Sequence, residues 1–120
     1  MQKRIWISTT RFSEFFRRLL EQYRQGVRVE IDGARHSDAD IDSLIASWCT
    51  NTKIRATRDF ALWQGEEQLF GFHDSPRQLW AACSELPFVE TLQREHIVRY
   101  EILEQKQSGI WSCIKSWFSA

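Results

Sequence analysis

Three histidines, three cysteines and sixteen Asp/Glu are the groups in this 120-residue chain with which chemistry could be done. His73-Asp74-Ser75 stands just before Pro76, and a capping hydroxyl followed by proline is a strong helix start. Backbone amides at such a start can bind an anion or hold an oxyanion, so His73, Asp74 and Ser75 form a candidate ligand site. The plainer reading is a polar loop between Phe72 and the Ser75 cap. His36-Ser37-Asp38-Ala39-Asp40-Ile41-Asp42 spaces three carboxylates at i, i+2 and i+4. A calcium loop would need Gly at its sixth position and Glu at its twelfth, where Ser43 and Cys49 stand. Acids gathered in a first helical turn instead complement the helix dipole.

Cys49, Cys83 and Cys113 are odd in number and widely spaced, with no CxxC or Cys/His pattern of a zinc site. Cys49 and Cys83 fall on or beside helical apolar stripes, where free cysteine behaves as a small hydrophobe. No G-x-S-x-G elbow or glycine-rich phosphate cradle exists, and the five glycines are scattered singly. His96 stands alone beside Glu95 ahead of a strand. No catalytic residue, metal or cofactor is therefore assigned, and no motif is specific enough to name a family.

The elements that would carry these groups are readable from periodicity. Arg4 to Ser8 suggests a first strand, and Thr9 or Thr10 offers an N-cap for a helix. Phe12, Phe15, Phe16, Leu19, Leu20 and Tyr23 then lie on one helical stripe, opposite Glu14, Arg17, Arg18, Glu21 and Arg24. Val27, Val29 and Ile31 alternate with Arg28 and Glu30 as a half-buried strand, closed by the turn pair Asp32-Gly33. Ser37 and Asp40 make a capping-box signature for a helix over 37–50. Alternation from Ile54 to Leu62 predicts a strand, paired through a turn at Gln64-Gly65-Glu66-Glu67 with a strand at Leu69 to Phe72. A helix is predicted over 76–86 on the stripe Leu79, Trp80, Cys83 and Leu86, stopped by Pro87. A short piece from Phe88 to Glu95 and a last strand at Val98 to Ile102 complete the domain.

The expected fold is α+β: a two-layer α/β sandwich with a mixed five-stranded sheet, helices on one face, in the order β-α-β-α-β-β-α-β. Four of the five strands alternate apolar with charged residues, whereas a sheet covered on both faces reads as continuous Val/Ile/Leu. The uncovered face is expected to display Arg28, Glu30, Arg55, Asp59, Arg99 and Glu101, charges of mixed sign without stacking platforms. One domain over residues 1–106 is anticipated, then a linker at 107–109 and an amphipathic aromatic tail at 110–120. Ile110, Trp111, Ile114, Trp117 and Phe118 fall on one helical stripe there.

Sixteen basic residues cancel sixteen acidic ones, which disfavours a nucleic-acid partner. The halves differ mildly: residues 1–60 carry eleven Lys/Arg against eight Asp/Glu, and residues 61–120 carry five against eight. No signal-peptide pattern and no apolar run near the ~20 residues of a bilayer span is present, so a reducing, cytoplasmic setting is expected. The favoured function is a small non-catalytic protein-binding module, of the inhibitor, immunity, adaptor or regulator kind. It would dock through the sheet face, or through the tail residues Trp111, Ile114, Trp117 and Phe118. The reading leaves room for a second copy of the chain and for a peripheral membrane contact through the tail. The alternative is a small enzyme or ligand-binding domain with a pocket near His73 and the amino end of the 76–86 helix, and a nucleic-acid-binding accessory protein ranks third.

Overall fold

The computed structural model describes residues 2–105 and 111–116. In chain order the elements are β1 (Gln2–Ser8), α1 (Phe12–Gln22), β2 (Val27–Ile31), β3 (Ala34–Ser37), a 3-10 turn (Asp38–Asp40), α2 (Ile41–Ser47) and α3 (Asn51–Ala56). They continue with β4 (Phe60–Gln64), β5 (Glu67–Phe72), a 3-10 turn (Pro76–Gln78), β6 (Trp80–Ala82), a 3-10 turn (Cys83–Glu85), α4 (Leu86–Arg94), β7 (Arg99–Gln105) and β8 (Trp111–Ser116). The chain is a small α+β unit built on one sheet, with strand order β3-β2-β4-β5-β6-β1-β7-β8.

The sheet corrects the expectation of five mixed strands. Seven strands lie within residues 2–105 and β8 extends one edge. Every pairing among the described residues is antiparallel. Parallel pairing of β1 with β2 does not occur, because β1 takes β6 and β7 as neighbours instead.

Helix α1 forms as its stripe predicts. Phe12, Phe15, Phe16, Leu19 and Leu20 are all buried. The Thr9 hydroxyl does not cap its first turn directly; it accepts from the Arg11 amide at 3.0 Å and donates to the Ile97 carbonyl at 2.7 Å. The Ser13 amide, one of the orphan donors of that turn, donates to Asn51 Oδ1 at 2.9 Å. Phe16 meets the rings of Phe15, Phe60, Trp48 and Phe72 edge-on at 4.9, 5.0, 5.2 and 6.0 Å. Phe88 of α4 packs against Tyr23 and Phe70. The described helices thus reach the sheet through Phe60, Phe70 and Phe72, the side that also buries Ile5, Ile7, Val29, Leu62 and Ala81.

Five local expectations change. Ser37 and Asp40 do form their capping box, but it opens a 3-10 turn, and the expected 37–50 helix is cut to α2. The Thr50 side chain then caps a separate helix, accepting from the Lys53 amide at 3.2 Å. So Ile54 to Ala56 is helical and the strand starts only at Phe60. The expected 76–86 helix is two 3-10 turns around β6, because Trp80 to Ala82 complete the ladders of β1 and β5. Pro87 stands in the first turn of α4 rather than ending a helix, where its missing amide costs nothing. The backbone of residues 111–116 pairs with β7 as a strand, not a tail helix. Trp111 and Ile114 lie in that strand, while Trp117, Phe118 and the linker at 107–109 lie outside the described residues.

Candidate functional site

Because strand side chains alternate between faces, register fixes what stands opposite the core. One row across the sheet runs Arg35, Glu30, Ala61, Gly71, Trp80, Trp6 and Glu101. Along one flank of it Ser37, Arg28 and Trp63 are aligned, and farther along the same flank Ala82, Arg4 and Leu103. Trp6, Trp63 and Trp80 are only half-buried. The face therefore carries indoles and guanidiniums together. The Arg4 guanidinium lies 4.0 Å from the Trp80 ring centre and that of Arg28 lies 5.2 Å from Trp63.

Glu30 binds this layer together. It accepts from Trp63 Nε1 at 3.2 Å and pairs with Arg28 Nε at 3.3 Å and Arg35 Nε at 3.4 Å. One carboxylate thus sits between two guanidiniums. Burial lowers the Arg4 pKa, although an arginine stays charged at any physiological pH.

A depression of about 430 Å³ opens on this face, lined by Arg4, Glu30, Trp63, Trp80, Asp59 and His73 among others. Its floor is low because the strand positions between the two indoles hold Ala61 and Gly71. A Cβ on Gly71 would stand 3.1 Å from the Phe60 carbonyl oxygen and 3.4 Å from Trp80 Cε2, and would collide with the Gln68 amide. Only glycine leaves that space open.

The rim is set by the ends of the β4–β5 hairpin. Phe60 pairs with Phe72, which brings Asp59 against His73 and Asp74. His73 Nδ1 lies 2.5 Å from Asp59 Oδ1, and its Nε2 lies 3.5 Å from Asp74 Oδ1. Asp32, at φ +47, accepts both the Arg58 and Asp59 amides on Oδ1 at 2.9 Å, which fixes the approach of Asp59.

The residues expected on the open face are mostly there. Arg28, Glu30, Arg99 and Glu101 lie on the indole-bearing side, and Asp59 at its rim. Arg55 does not: it belongs to α3, over the Phe12 ring at 5.9 Å. Arg99 and Glu101 line a second hollow of about 300 Å³ with Trp6, Ser8 and Arg77. His73 and Ser75 part company. His73 lines the indole depression, whereas Ser75 lines a hollow of about 470 Å³ with Thr9, Thr10, Phe12, Arg55 and Arg77. The amino end expected there is a single 3-10 turn, in which Ser75 Oγ accepts from the Arg77 amide at 3.1 Å.

Trp6, Trp63 and Trp80 are the residues that sequence reasoning misses, and they supply the stacking platforms the face was expected to lack. The signal is available in part, since Trp63 follows Leu62 within an alternating strand. Elsewhere, burial pushes the Cys49 thiol up to about 11. The Tyr23 phenol is raised further by burial and by donating to Glu85 Oε1 at 2.6 Å. Among the described residues no helix is long and apolar enough to cross a membrane. No family model, no curated protein and no solved structure matches this chain.

Proposed function

We propose that this chain is a non-catalytic binding module that docks a partner protein on the helix-free side of a two-layer arrangement. The observation that carries the reading is the indole and guanidinium layer: Trp6, Trp63 and Trp80 with Arg4, Arg28 and Arg35. Trp and Arg are the residue types that dominate binding energy at protein interfaces, and residues kept only for solubility would not include three half-exposed indoles on one face. The partner this surface fits offers an aromatic or aliphatic anchor for the depression, with carboxylates around it for Arg4, Arg28 and Arg35.

The test is capture from the native host on immobilised chain, followed by reconstitution with the purified partner. Three variants are compared: Trp80→Ala, Arg35→Glu, and Arg17→Glu on the exposed side of α1. The reading expects one stoichiometric protein whose affinity falls at least about tenfold for the first two and is unchanged for the third. Arg35 is largely exposed, so its reversal tests the face without touching the core. Capture indifferent to both face variants overturns the proposal. So does a face that binds a single-stranded oligonucleotide and no protein, since stacking and arginine contacts serve that ligand as well.

The ligand-binding alternative now attaches to the indole depression rather than to the 76–86 segment. Its support is the concave shape with polar groups, Arg4, Glu30 and His73 among them, converging beside two indoles. A saturable small molecule whose binding is abolished by Gly71→Val would favour it over the protein partner.

A further inference from the structure

We infer that Asp59, His73 and Asp74 form a binding site for a divalent first-row transition-metal ion. The inference does not rest on the docking surface and would stand if that reading failed. One donor atom from each residue lies within 4.8 Å of the others. An ion bonded at roughly 2.0–2.2 Å to nitrogen and oxygen holds its donors about 3–3.5 Å apart. His73 Nδ1 and Asp59 Oδ1, 2.5 Å apart, must open by about 0.5–1 Å while Asp74 closes in, and both movements fall on side chains that are half or more exposed, whose torsions turn at little cost.

The donor set selects the kind of ion. One imidazole nitrogen with two carboxylate oxygens suits zinc, cobalt, nickel or manganese. Calcium would want six to eight oxygens, and the imidazole counts against it. Two carboxylates balance the charge of a dication beside a neutral imidazole. Three protein donors leave coordination positions for water or for a ligand group, as in open rather than structural sites.

The scaffold favours an ion held in place. Asp59 and His73 flank the paired residues Phe60 and Phe72, so two donors are fixed by one hairpin ladder. Asp32 holds the amides of Arg58 and Asp59, and the Asp74 amide donates to Asp59 Oδ1 at 3.3 Å. A competitor for the ion is also present: Arg58 Nη2 lies 3.5 Å from Asp74 Oδ1. Asp59 and His73 line the indole depression, so the ion would sit at its rim.

The full chain, stripped with chelator, is titrated with zinc chloride by calorimetry and with cobalt chloride by visible absorption. One ion per chain is expected. His73→Ala and Asp59→Asn should each weaken it at least about tenfold, with secondary structure unchanged by circular dichroism. Should Asp59→Asn disturb the hairpin, the His73 variant carries the test, since that side chain is the most exposed of the three. Arg58→Ala, which removes the competing cation, should tighten binding. No binding up to about 1 mM metal overturns the inference. Binding left unaltered by His73→Ala overturns it equally, since the ion would then be held by other histidines or by thiols.

Discussion

Replacing Phe16 by alanine tests which side of the sheet is the core. Phe16 is fully buried and meets four aromatic rings edge-on within 6.0 Å. Deleting a buried phenylalanine costs about 3–5 kcal/mol, and the loss of edge-to-face pairs, each roughly 0.5–1.5 kcal/mol beyond area, places this site near the top of that range. Small domains are stable by only about 5–15 kcal/mol, so the variant should melt on the order of 15 °C lower. Trp63→Ala is the matched control. It removes a larger ring, but one that is half-exposed and tied by a single 3.2 Å bond to Glu30 and one guanidinium contact. Its cost should be about 1–2 kcal/mol. Urea unfolding followed by far-ultraviolet circular dichroism, fitted with a common slope, gives both numbers. Equal losses for the two, or a smaller loss at Phe16, would refute the assignment of core and open face.

Three further outcomes are expected. Asp32→Ala should cost about 2 kcal/mol in urea unfolding, since it strips one acceptor from two backbone amides and puts alanine at φ +47; a change under about 0.5 kcal/mol would oppose that role. Arg18 donates two bonds to Glu95 at 2.7 and 2.9 Å and thereby holds its carboxyl below the ordinary 4.5. A depressed folded pKa means that the pair favours folding above the usual glutamate range and loses that contribution as pH falls through the folded value. A carbon-detected titration should place the Glu95 midpoint under 4.5 and Arg18→Gln should raise it; identical midpoints would sink the argument. Cys49, with its thiol pushed up to about 11, should react with iodoacetamide at pH 8 about a hundredfold more slowly than a thiol of ordinary pKa, which peptide mass mapping over time resolves.

The parts legible in the sequence are those whose signal is local and long. The α1 stripe spans three turns of consistent 3.6-residue period, and Asp32-Gly33 supplies the two positive φ values, +47 and +88, of a hairpin turn. The parts that are not legible are short and decided by neighbours. Leu79 to Ala82 fits either period over four residues, and its strand character comes from the ladders offered by Ile5 and Phe70. At Ile54 the alternation is too brief to outweigh the Thr50 cap. The site is half legible for a related reason. Asp59 stands out as a strand charge and His73-Asp74 as a loop before a turn, and only the Phe60–Phe72 register brings them together. Trp6 hides inside Ile5-Trp6-Ile7, an apolar run that conceals its own phase until β1 is placed between β6 and β7.

That placement of β1 bears on how the chain acquires its structure. Ile5 is made well before its ladder partners, Ala81 and Ile102. This interior strand therefore waits, while the intervening residues are made, with both hydrogen-bonding edges bare and its apolar side uncovered. Closing such long loops is slow, and strands left unpaired in the interval invite association with other chains. The hairpins β2–β3 and β4–β5, by contrast, can close as soon as their turns emerge. Assembly should proceed from these hairpins outward, with β1 drawn into the gap last. Efficient production of the protein would then depend on whatever shields its first strand until residues 80–105 arrive.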